Sequence, residues 1–231
     1  MNYSAKYLKV GLLNSWILLI LTIIFLIIIL VMGKDIPAFW GMTSAFEKSH
    51  RCFVLYRVSI VVAFFCLPAW AIIMLCFNQT KQKSGTAWIA FFLSLLTFIC
   101  IGIAYVTELF YIAPSVAQGN LPNEIKYTLH EIDNNMFLFD NIGYFFMGMS
   151  SLLAISDTVR NQNWPYILPG LCLFGIASVL GLTGVWFESK FLMTINVIGM
   201  TLTYPLAACS FIIYFKNQIS TKKIKIINAF N

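Results

Sequence analysis

Charge is scarce in this chain. Asp, Glu, Lys and Arg supply only 10% of its 231 residues, whereas a soluble domain of this size needs roughly a quarter charged residues to coat its surface. With 60% apolar residues and a mean hydropathy of +0.83, the composition excludes an ordinary water-soluble domain and identifies lipid as the solvent. Closely spaced cysteines are also missing. Cys66, Cys76, Cys100, Cys172 and Cys209 fall inside apolar runs and only Cys52 lies at a boundary, so neither a disulfide framework nor a thiolate metal site is supported. The phosphate-cradling patterns GxxxxGKS/T and GxGxxG are absent. Any transport must then run on a gradient or a partner's energy, and no cofactor is expected. There is no GxSxG, and neither His50 nor His130 has a sequence-defined serine or cysteine partner, which argues against a serine or cysteine hydrolase.

What the chain does have is long apolar runs. A helix needs about 20 predominantly apolar residues to cross the hydrocarbon layer, and six segments reach that length: Gly11 to Met32, Phe53 to Phe77, Thr86 to Ala113, Asp140 to Val159, Tyr166 to Phe187 and Phe191 to Phe215. The first is too long for the apolar core of a secretory signal and no small-x-small cleavage site follows it, so it is read as a retained helix. The expected fold is an all-α integral membrane protein, a bundle of six transmembrane helices. Residues 1–10 form an N-terminal tail, 11–215 the membrane domain and 216–231 a basic C-terminal tail. The third loop carries a helix-like stretch that begins near Pro122 and Glu124 and has Leu129, Ile132, Met136 and Phe139 at helical spacing, which predicts a short interfacial helix there or one that runs without a break into the fourth span.

The basic residues lie in short segments between apolar runs, so the net charge of +6 reads as a topology signal and not as a nucleic-acid footprint. Alternating the loops puts nine bases against one acid, Asp157, on the side of the termini, and six bases against eight acids on the other. Positive-inside logic then places both termini in the cytoplasm, with the chain in the cell membrane, expected to be a bacterial inner membrane. Trp and Tyr residues such as Tyr56, Trp88, Tyr105, Tyr111 and Trp186 fall near predicted helix ends, where amphipathic rings favour the headgroup region, whereas Trp16 and Trp70 lie deeper and are expected to face packed neighbours. Lys222, Lys223 and Lys225 alternate with isoleucines in the C-terminal tail, a pattern suited to anionic lipid or simply to anchoring the topology.

Small residues recur on single helical stripes: Ala177, Gly181 and Gly184 on the fifth span, and Tyr144, Gly148 and Ser151 on the fourth. Such stripes let helix backbones approach closely in lipid, where hydrophobicity no longer drives association. Pro68, Pro169 and Pro205 lie inside or near the ends of spans, where proline removes a backbone donor and kinks the helix.

Charges at membrane depth are costly and therefore mark candidate sites. Arg57 on the second span, Glu108 near the end of the third and Asp140 at the start of the fourth approach the outer face at similar depth. They are candidate ligand-binding residues, with the Arg57 guanidinium holding an anionic group or pairing with a carboxylate. The alternative is a permanent ion pair, or an arginine snorkelling to the interface. His130 and Asp133 are the densest metal-ligand candidates, but HExxH is absent because Asn134 follows, and spacing supplies no third ligand. The leading expectation is binding or transport of a small solute through an outward-facing polar vestibule. The alternatives are a non-catalytic assembly or sensor subunit that contacts a protein partner, and a membrane-embedded carboxylate hydrolase.

Overall fold

The computed structural model describes residues 3–32, 50–80, 84–112, 114, 135–159 and 168–228. Among them every long element is a helix: α1 Tyr3–Met32, α2 His50–Thr80, α3 Gly85–Thr107, α4 Asn135–Val159, α5 Leu168–Trp186 and α6 Lys190–Asn228. A π turn, Glu108–Ile112, extends α3. All six helices contain a stretch long and apolar enough to cross a membrane, so the chain is an all-α, multi-pass membrane protein. Of the helix expected in the third loop, Met136 and Phe139 belong to α4, while the rest of that stretch, with His130 and Asp133, lies outside the described residues. So do the side chains of Lys222, Lys223 and Lys225.

Each helix packs against the next in the chain, and α6 returns to pack against α1, so the six form a closed ring in sequence order. An interior of that width needs large side chains, and Trp70 of α2 fills it with no exposed surface. Its ring meets Phe174 of α5 at 5.4 Å and Tyr204 and Phe211 of α6 at 5.9 and 5.7 Å. Its indole N–H donates to the Ser150 hydroxyl of α4 at 3.3 Å, satisfying a donor that lipid could not. Pro68 and Pro205 lie within continuous helices close to this aromatic centre, and Pro169 occupies the first turn of α5, where its missing N–H costs nothing.

Small residues sit where helices approach most closely. A Cβ on Gly148 would stand 2.6 Å from Ser178 Cβ and 2.8 Å from the Gly175 carbonyl oxygen of α5. On the other face of α5, Ala177, Gly181 and Gly184 are buried. There Asn196 of α6 covers Gly181 and donates to the Ala177 carbonyl at 2.7 Å. Ser151 is buried and bonds back to the Met147 carbonyl in its own helix.

Several boundaries differ from the hydropathy reading, beginning with α1, which starts at Tyr3 and takes in most of the expected N-terminal tail. Helix α4 starts at Asn135, so Asp140 lies inside the helix and not at its start. Helix α6 continues to Asn228, carrying the basic segment as helix for a total length of about 58 Å, well beyond the ~30 Å hydrocarbon layer. The α5–α6 turn is closed by two bonds, from the Ser189 N–H to the Gly184 carbonyl and from the Glu188 N–H to the Val185 carbonyl. Glu188 adopts φ +50°, the left-handed capping position that glycine usually takes. That accounts for Glu188 as a turn residue.

Candidate functional site

Two acidic residues, Glu108 and Asp140, come together at the end of the bundle opposite the termini. On α3, Ile101, Tyr105 and Glu108 follow at i, i+4 and i+7 and are all buried, Glu108 with 2% of its surface exposed. On α4, Asp140 and Tyr144 are one turn apart on the same face. The two helices can meet here because of Gly143: a Cβ at that position would strike the Ile101 side chain and lie 3.1 Å from the Ile101 backbone nitrogen. With the backbones this close, the Tyr105 and Tyr144 hydroxyls are 2.5 Å apart and share a hydrogen bond.

Asp140 lies within direct electrostatic range of Glu108 and of both tyrosines. Its Oδ1 is buried and accepts no hydrogen bond from the described residues. Helix α2 adds Tyr56, which is buried and set against the Glu108 carboxyl with Asp140 also in range. Helices α2, α3 and α4 thus contribute two carboxyls and three phenols to one largely enclosed polar cluster, with the Cys66 thiol of α2 within electrostatic range of Tyr105 and Tyr144. At Glu108 the backbone changes from α to π geometry: its N–H is shared between the Ala104 and Tyr105 carbonyls. Such π turns occur disproportionately at functional sites.

Of the three residues expected to form a ligand site, Glu108 and Asp140 are neighbours. Arg57 is exposed on α2, one residue past buried Tyr56. Among the described residues, no group of three or more His, Cys, Asp or Glu side chains is arranged to hold a metal. Sequence reading missed Tyr56 and Tyr105 as site residues, treating them as interfacial rings, and read Tyr144 as a packing residue. Their helical register was the available signal, since Tyr105 precedes Glu108 by three residues and Tyr144 follows Asp140 by four, so each tyrosine shares a face with a carboxylate. Gly143 belongs to no small-residue stripe and left no comparable trace.

Comparison with protein families, with curated proteins and with solved structures gave no match.

Proposed function

We propose that this protein binds, and as a transporter carries, a small cationic solute at the Glu108–Asp140 pair. The observation that carries the reading is the buried Glu108 side chain on one helix with the half-buried Asp140, its Oδ1 enclosed and without a hydrogen bond from the described residues, within electrostatic range on the next. Ionisable groups at that depth are costly and generally serve a ligand or ion path. Two carboxylates side by side in a low-dielectric interior create a negative field that a cation neutralises, and tyrosine hydroxyls can donate to the carboxylates or turn a lone pair toward the cation. The sign of the ligand follows from the two carboxyls, which ask for a cation, whereas a site built on the Arg57 guanidinium would ask for an anion. The excess of basic residues on the side of the termini supports a cytoplasmic location for both ends in the cell membrane, which puts the acid pair toward the outer face.

The test is the thermal unfolding of the purified full chain in detergent, with sodium, potassium, calcium or choline chloride at constant ionic strength. A cation present at about 100 times its Kd stabilises the folded state by about 2.7 kcal/mol. One salt is expected to raise the midpoint of the wild type and of Arg57→Gln, and to lose its effect in Glu108→Gln and in Asp140→Asn. If no salt distinguishes the wild type from those two carboxyl variants, the reading fails. If Arg57→Gln alone removes the response, the assigned sign of the ligand is wrong.

A further inference from the structure

A second polar feature, independent of the acid pair, lies on the seam between α1 and α6 at the end of the bundle that holds the termini. On α1, Leu8, Gly11, Ser15 and Leu18 are buried against the bundle. Lys9, Leu13, Trp16 and Ile20 follow at intervals of four, three and four residues and form an exposed stripe. This stripe faces lipid and is apolar from Leu13 onward. It ends in cations toward the terminus, at Lys9 and then at Lys6, which is also exposed. Helix α6 lies alongside, with the Phe215 ring over Gly11. The next residue, exposed Lys216, lays its ammonium 5.3 Å from the centroid of the Trp16 ring. Trp16 was expected to face packed neighbours, but it is 41% exposed and serves as the platform for this lysine. Lys9 precedes Trp16 by seven residues, about 10 Å along the helix axis, and Lys6 lies about 4.5 Å further. The three cations therefore fall along roughly 15 Å of one lipid-facing seam. Neither α1 nor α6 contains an aspartate or a glutamate. Asp157, the acid expected at this end, belongs to α4, which two helices separate from α1 in either direction around the ring.

We propose that the α1–α6 seam binds an anionic phospholipid of the surrounding leaflet. Lys9 and Lys216 flank its phosphate, Lys6 extends the positive field toward the terminus, and an acyl chain lies along Leu13 and Ile20. The charge fits because the seam offers cations without a carboxylate on either helix, and the shape fits because those cations cap an apolar stripe. This goes beyond a basic tail that any acidic membrane would attract, since it names a position on the folded bundle and gives Trp16 a role in holding Lys216 in place.

The proposal is tested by native mass spectrometry of the full chain released from detergent containing equal amounts of phosphatidylglycerol and phosphatidylcholine with matched acyl chains. The wild type is expected to retain phosphatidylglycerol preferentially. Lys9→Gln/Lys216→Gln is expected to weaken that retention by about five-fold per lysine. Lys81→Gln/Lys83→Gln, which removes the same charge from the second loop, is expected to keep the preference. The proposal is overturned if the Lys9/Lys216 variant retains the lipid as the wild type does. Equal loss in the Lys81/Lys83 variant would also overturn it, because the preference would then follow total charge. So would displacement of the lipid by soluble glycerol phosphate at matched concentration, because the ligand would then be the free anion.

Discussion

At Gly181, helix α5 meets α6 through a polar contact and a missing side chain, and a double-mutant cycle separates the two. A methyl group on Gly181 would meet the Asn196 carboxamide, with its carbon at 2.6 Å and its oxygen at 2.9 Å. Overpacking of this kind costs about 1–3 kcal/mol. The obstacle is the end of a side chain and not backbone, which favours the lower part of that range, and replacing a helical glycine returns up to about 1 kcal/mol. Gly181→Ala is therefore expected to lose about 0.5–2 kcal/mol. Asn196→Ala removes the 2.7 Å bond to the Ala177 carbonyl, and interhelical bonds in membranes average about 0.6 kcal/mol with a ceiling near 1.7. In the double variant the new methyl occupies the space the carboxamide has left, so the clash disappears. The double variant is expected to be no less stable than Asn196→Ala alone, giving a favourable coupling of about 1–2 kcal/mol. Reversible unfolding in mixed micelles by titration with a denaturing detergent measures all four corners of the cycle. Additivity within about 0.5 kcal/mol would refute the steric account.

Two further outcomes use the same assay. Gly148→Ala drives a methyl toward the Gly175 carbonyl and Ser178 and is expected to cost about 1–3 kcal/mol, whereas Gly102→Ala, where a Cβ meets nothing within 4 Å, is expected to be neutral or stabilising; equal effects at the two sites would contradict the packing at α4–α5. Glu188→Gly relieves a non-glycine residue at φ +50° and is expected to raise stability by about 0.5–1 kcal/mol, so a lower midpoint would show that the Glu188 side chain contributes more than its backbone costs.

The six helices were legible in the sequence because crossing a membrane demands a length and an apolarity that few other structures require. Their ends were less legible. A hydropathy reading stops where the apolar run stops, but the hydrogen-bond ladder of a helix continues through any residue that tolerates it. Lys216 to Asn228 therefore extend α6 past its apolar segment, whereas α4 begins earlier because the apolar residues Met136 to Phe139 precede Asp140 on the same helix. The site was legible in depth only. Counting along the spans put Glu108 and Asp140 at one level, and that juxtaposition is present. Which neighbour each carboxyl meets depends on how each helix is rotated, and at 100° per residue a single position decides it. Trp16 shows the same limit: its depth was readable, but the side of α1 it occupies was not. Tyr56 and Tyr105 were ambiguous for a chemical reason, since an amphipathic ring suits both a headgroup belt and a buried polar cluster.

The rotation of α2 has the largest functional consequence. Turning it by one residue would send Tyr56 outward and bury Arg57 in its place, and the result would be a buried ion pair. Arginine does not give up its proton, and its rigid fork would occupy the carboxylate permanently, leaving a site of structural value only. The observed rotation instead presents a phenol to Glu108, while a second pair of phenols bonded to each other lies beside Asp140. A hydroxyl can donate to a carboxylate when the site is empty and present its lone pairs to a cation when it is full. On the proposed reading the acid pair exchanges its counter-charge, and exchange is the property that separates a solute site from a strut.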